Sequence, residues 1–276
     1  MFRKIALLLC LMTSLTFSQR LAYWPLKAEV EDYSYDYKYE APTEIEKLVV
    51  RVMFRDIEAG RYWDAAALAK IYLPNVELII GEDYVVIHEN GDKGWAHLAI
   101  NTEVEDNYIE EVAILVPHER NDLLTKREGE YVHSGLINSR YLLVNGSSRK
   151  YSDAARAPGS MYMHYVELIS ERPVHTRFIS LHGNARPDCA DVFMTDGTYG
   201  PDDHFVRNVK RNLRWRGVVN GLCGYRGITN LNGQLVRKNG DSFTHVEQSY
   251  GFRKYHYNKL LESIQSYYYN LLTGDQ

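Results

Sequence analysis

Val112-Ala113-Ile114-Leu115-Val116-Pro117-His118-Glu119-Arg120-Asn121-Asp122 decides how the rest of the chain reads. An apolar run stopped by a proline reads as a short strand. Charged and polar groups follow it at once. Then Thr125-Lys126-Arg127-Glu128 has the spacing of a capping box and predicts a helix start. A strand that runs through a polar turn into a helix is one step of an α/β sheet covered on both faces.

The same alternation extends outward. Downstream, strands are expected at Tyr141–Val144, Phe178–Leu181, Val192–Thr195, Val218–Asn220 and Phe243–Val246. Helices are expected at 159–171, entered by Pro158-Gly159 and closed by Pro173, at 202–216, and from Tyr255 to Leu272. Upstream, strands fit Tyr84–His88 and Trp95–Ile100. A helix over 44–58 follows from the spacing of Ile45, Leu48, Val49, Val52 and Met53. A second, Trp63 to Tyr72, must stop at Pro74.

The 276 residues, 45% hydrophobic and 25% charged, have the composition of an ordinary globular protein. A net charge of -4 lacks the basic field of a nucleic-acid binder, so none is expected as partner. Residues 1–18 have the order of a secretory signal: Arg3 and Lys4, apolar Ile5 to Met12, then Thr16 and Ser18 before a cut. Export to a secreted or periplasmic location is therefore expected, with no later membrane span. Residues 19–42 read as a Tyr-rich exposed leader. Residues 43–276 read as one catalytic-type domain with an N-terminal extension over 43–94. Cys189 and Cys223 would remain after cleavage, either paired or as free thiols.

Ligands of open α/β sheets bind beyond the carboxyl ends of the strands. There the chain collects Pro117-His118-Glu119-Arg120-Asn121-Asp122, Asn145-Gly146-Ser147-Ser148-Arg149, His182-Gly183 and Glu247. Two histidines and a carboxylate suit a zinc site with one open position. His118 and His182 supply nitrogens, and Asp122 or Glu119 the carboxylate. Glu247 is the candidate general base. Arg149 and Arg156 are candidates to hold a substrate carboxylate or an oxyanion. For Ile228-Thr229-Asn230-Leu231-Asn232-Gly233 two readings stay open: a pocket lining, with Asn230 touching substrate, and a simple turn.

Together, Pro117-His118 with Asp122 and Thr125, Ser152-Asp153-Ala154-Ala155-Arg156, Leu181-His182-Gly183 and His245-Val246-Glu247 resemble the N-formylglutamate amidohydrolase group. That group is similar in turn to zinc carboxypeptidases. The resemblance covers about residues 95–270. It implies a three-layer α/β/α sandwich with a mixed, mostly parallel sheet and one zinc. It also implies hydrolysis of an amide bond near a free carboxylate, in a small peptide or N-acyl amino acid. His118 and His182 match the histidine ligands, Arg156 the carboxylate-gripping arginine, and Glu247 the base. Two positions depart. Asn121 stands where carboxypeptidases place a ligating Glu, which moves the expected ligand to Asp122 with Glu119 in reserve. Ala155 stands where they have an Asn before the arginine, and Arg149 is expected to share its work.

Two other classes compete. A ligand-binding protein on the same fold would keep the pocket without Glu247 acting as a base. A surface interaction protein would work through the Tyr-rich leader.

Overall fold

The computed structural model describes residues 39–90, 93–104, 110–186, 190–219 and 227–274. One eight-stranded sheet runs through them in the order β1-β2-β3-β5-β4-β6-β8-β7. The strands are β1 (Val76–Ile80), β2 (Tyr84–Glu89), β3 (His97–Asn101), β4 (Glu111–Val116), β5 (Ser139–Val144), β6 (Thr176–Asn184), β7 (Val192–Thr195) and β8 (Ser242–Ser249). The four central strands, β5, β4, β6 and β8, are parallel. Antiparallel strands flank them, β1 to β3 on one side and β7 on the other. Every residue of β4 and β5 is buried, as expected for strands covered on both faces.

Helices make the outer layers: α1 (Glu44–Glu58), α2 (Tyr62–Tyr72), α3 (Thr125–Gly135), α4 (Met161–Ser170), α5 (His204–Trp215), α6 (Leu231–Lys238), α7 (Tyr250–Tyr255) and α8 (Tyr257–Thr273). On one face, Ala113, Leu115, Tyr141, Leu143, Phe178 and Phe243 share a core with Val50, Met53 and Phe54 of α1 and Tyr165 and Ile169 of α4. Each such large side chain contributes about 1.5–3 kcal/mol on burial. On the other face, α3 lies against Ile114, Val116 and Leu142 at Gly129, and against Leu261 of α8 at Gly135. The architecture is thus a three-layer α/β/α sandwich around a mixed sheet. Among the described residues no helix is long and apolar enough to cross a membrane.

Several local expectations are corrected. The stripe that places α1 is Val50, Met53, Phe54 and Ile57, while Ile45, Leu48 and Val52 face outward. The helix carries two apolar stripes, and contact with the sheet layer selects the second. Its start is a true capping box: Glu46 N–H donates to Thr43 Oγ1, and Thr43 N–H to Glu46 Oε2. The helix at Thr125 has no such box. Leu124 before it is left-handed, and the Thr125 hydroxyl donates to the Asp122 carbonyl. Glu128 points instead into the interior and accepts from Gln248 Nε2. Strand β1 and helix α6 were not expected, and Val218 and Val219 belong to no strand. Tyr39 and Glu40, at the end of the expected leader, are tied in: Met161 N–H donates to Tyr39 Oη, and Trp95 Nε1 to the Glu40 carbonyl. The expected signal segment and both cysteines, Cys189 and Cys223, lie outside the described residues.

Candidate active site

The carboxyl edge of the parallel strands holds the titratable cluster. Past β4, the N–H groups of Asn121 and Asp122 both return to the His118 carbonyl, at 3.0 and 2.7 Å. That turn brings His118 and Asp122 round to the same strand end. β6 and β8 run three residues further than expected, so His182 and Glu247 lie inside strands rather than beyond them. Their register pairs Ser180 with His245 and His182 with Glu247. Side chains of a strand alternate between faces, so these four share one face of two adjacent strands.

Polar contacts follow from that register. The His118 and His182 rings are 5.2 Å apart, and His182 and His245 are 4.5 Å apart. His118 Nε2 lies 3.3 Å from Asp153 Oδ1. His182 Nε2 lies 3.0 Å from Ser180 Oγ, and its Nδ1 3.9 Å from Asp122 Oδ2. His245 Nε2 is 3.0 Å from Glu247 Oε1. Gly183 follows His182 because a Cβ there would run into the Arg253 guanidinium. Arg253 Nη1 donates to the Gln248 carbonyl and sits close to Asp122 and Glu247.

Burial dominates the electrostatics. It pushes the Asp122 carboxyl up to about 6, opposed by the Gly183 backbone N–H and the Arg253 guanidinium. It holds the His118 imidazole down to about 4, against the pull of Asp153. It takes His182 well below the ordinary histidine range, helped by its neighbours His245 and His118. Both imidazoles are therefore neutral at pH 7, the form that ligates a metal.

Among the described residues no trio of His, Cys, Asp and Glu closes to metal-holding geometry. The donor set still fits a metal in its chemistry. Each of the two imidazoles is held through Nε2 by an oxygen, Asp153 for His118 and Ser180 for His182. Such outer contacts orient metal-binding histidines. The atoms left over are His118 Nδ1, buried without a hydrogen bond, and His182 Nδ1, facing Asp122. A divalent cation is the partner that would use both nitrogens and the carboxylate together.

The other expected residues spread around this cluster. Glu119 faces Lys126 Nζ at 4.0 Å. Arg149 is half-exposed, with Nε 3.4 Å from Asp153 Oδ2. Its backbone N–H donates to Asn121 Oδ1, so the asparagine at the departing position ties two loops together. Arg156 is exposed. Asn230 caps α6, its Oδ1 accepting from the N–H groups of Asn232 and Gly233, while its Nδ2 is buried without a partner. The cap adjoins the Asp153–Arg156 segment, because Leu231 N–H donates to the Ala155 carbonyl. Three contributors had no role assigned from sequence: His245, Ser180 and Arg253. The first two carried a signal, since each lies two residues before a singled-out residue on a strand. Arg253 carried none, as it reaches the site from α7.

No family model matches the chain, and no curated protein matches it. Similar solved structures include a bacteriophage poly-gamma-glutamate hydrolase (14% identity, 58% of this chain and 86% of that one, TM-score 0.40). An N-formylglutamate amidohydrolase from Ralstonia eutropha is 12% identical over 62% of this chain and 94% of that one, with a TM-score of 0.41. A metallo-carboxypeptidase from Burkholderia cenocepacia is 11% identical over 76% and 69%, with a TM-score of 0.43.

Proposed function

We propose that the chain is a secreted, zinc-dependent hydrolase that cleaves an amide bond near a free carboxylate, in a small peptide or N-acyl amino acid. One observation carries this reading. His118 and His182 are both buried, both anchored through Nε2, and gathered with Asp122 and Glu247 at one strand edge.

In this reading His118, His182 and Asp122 hold the metal. When bound, zinc supplies Lewis acidity toward water and the amide carbonyl. The chain's own groups do the rest. Glu247 accepts a proton through Oε2, which has no hydrogen bond among the described residues, and returns it to the leaving nitrogen. Arg149, next to the cluster and half-exposed, holds the substrate carboxylate. Asp153 keeps the His118 ring in place and stays off the substrate.

A second reading, ligand binding without turnover, is favoured by one feature: Ala155 leaves no amide side chain beside Arg156 to help grip a carboxylate.

The test is metal analysis of purified protein with an assay on short peptides and N-acyl amino acids. The expected outcome is close to one equivalent of zinc, chelator-sensitive hydrolysis, and loss of most metal in His182→Ala. Bound zinc without turnover would favour the binding reading. Full zinc retention in both His118→Ala and His182→Ala would remove the site.

A further inference from the structure

A third imidazole belongs to this cluster. His245 lies on the same face of β8 as Glu247, and its Nε2 is 3.0 Å from Glu247 Oε1. Its ring is boxed in. His182 is 4.5 Å away on one side, and Phe243 stacks at 6.5 Å with planes 29° apart. The backbone at Gly227 closes a further side: a Cβ there would come within 2.6 Å of His245 Cγ, and the φ of +65° there also favours glycine. An imidazole so confined has one rotamer and one partner to offer a hydrogen bond.

The tautomer follows from the partner. An ionised carboxylate only accepts, so the proton must sit on Nε2. Nδ1 then carries the lone pair, and it is the nitrogen found buried without a hydrogen bond. An unpaired acceptor costs less there than a carboxylate facing a ring lone pair.

We propose that His245 is a positioning residue: its Nε2–H fixes the Glu247 carboxylate through Oε1, so that Oε2 is the oxygen left to take the proton. This rests on the hydrolase reading above. It goes beyond that reading in giving the base a dedicated holder, one that touches neither substrate nor reacting atoms. A carboxylate free to rotate would spend part of its time with neither oxygen aligned, and misplacement of that order lowers kcat rather than binding.

The test has two arms. In the first, kinetics of His245→Phe, His245→Gln and Glu247→Gln are compared, with the double variants. Expected for His245→Phe is a fall in kcat of roughly 10–100-fold with KM and metal content kept. His245→Gln, which can present an amide N–H near the Nε2 position, should recover much of it. In the Glu247→Gln background His245→Phe should cost nothing further, because a residue acting through Glu247 has nothing left to act on. Equal losses in both backgrounds, or a rise in KM alone, would overturn the proposal. The second arm needs no activity. Nitrogen NMR of the histidine rings should show His245 as the Nε2–H tautomer, with that resonance displaced in Glu247→Ala. A proton found on Nδ1 instead would overturn it even in an active enzyme. A chain with no hydrolase activity at all defeats the preceding section, and the ring spectrum then decides the His245–Glu247 bond by itself.

Discussion

Two groups of histidines lie on or against this sheet, and their surroundings differ. His118, His182 and His245 lie at the carboxyl edge of the parallel strands. Each has a carboxylate oxygen within 4 Å: Asp153 at 3.3 Å, Asp122 at 3.9 Å and Glu247 at 3.0 Å. His88, His97 and His133 lie toward the antiparallel half. His88 and His97 stack with ring centroids 4.8 Å apart, a closer pair than His118 and His182. Their setting is otherwise. His97 Nδ1 accepts the Glu89 backbone N–H, and burial presses its basicity down to about 3, helped by His88 and the Lys126 and Arg120 cations. His133 Nδ1 pairs with the Ser139 hydroxyl. Paired imidazoles alone therefore do not mark a site. At the carboxyl edge an oxygen meets Nε2 of each ring, from Asp153 for His118, Ser180 for His182 and Glu247 for His245, with Asp122 facing the Nδ1 of His182.

The largest expected effect separates the groups by activity. Glu247→Gln keeps size and hydrogen-bonding shape but cannot take a proton. Turnover should fall about 10²–10⁴-fold with metal retained. His97→Gln, in the other group, should leave turnover per folded molecule unchanged. Steady-state kinetics on metal-loaded protein checks both. A His97→Gln loss as deep as that of Glu247→Gln would erase the distinction between the groups.

How much of this was legible in the sequence depends on period and reach. Val112–Val116 shows itself as an apolar run, while Phe178–Leu181 is interrupted by Ser180 and Phe243–Val246 by Thr244 and His245; the polar residues that follow them stand out by position alone. The register that sets His182 beside Glu247 is a long-range pairing that no local pattern encodes. β1 escaped notice because Val76-Glu77-Leu78-Ile79-Ile80 follows Pro74 closely and mixes a charge into a short run. α6 escaped because Asn230, Asn232 and Gly233 read as turn residues, whereas Asn230 is the cap of a helix. At Thr125 the capping-box spacing was present but its chemistry was not, since Glu128 is drawn inward by Gln248. Arg253 was invisible for a different reason: it sits on helix α7, and its place depends on a bare Gly183 on strand β6.

A middle-sized effect probes the anchoring that distinguishes the first group. Asp153→Asn keeps an oxygen near His118 Nε2 but removes the charge that favours a proton there. Metal affinity should weaken about 10–100-fold, the range for outer contacts of metal-binding histidines. Competition with a chromogenic chelator measures it. An unchanged affinity would mean that the 3.3 Å contact does not orient His118, and the first group would lose one of its three defining carboxylates.

The smallest effect concerns stability and the second group. Burial presses His133 down to about 3, from an ordinary value of 6.5. Folded protein therefore keeps this ring neutral at pH values where the unfolded chain has already protonated it. The sign is fixed by that difference. The stabilising share of His133 is fully present above pH 6.5 and is lost as the pH falls toward 3, at up to about 1.4 kcal/mol per pH unit. His118 and His182 have the same sign in metal-free protein, so the wild-type slope alone does not isolate one ring. The difference between wild type and His133→Gln does. At pH 8 the variant should be less stable by about 0.5–1.5 kcal/mol, the net worth of one hydrogen bond such as that to Ser139. Between pH 6 and 4 the gap should close and then reverse, because glutamine binds no proton. Urea unfolding of metal-free protein at pH 4, 5, 6 and 8 measures this. Parallel pH curves for the two proteins would mean that burial does not hold the His133 ring neutral, and that its contact with Ser139 is all it contributes.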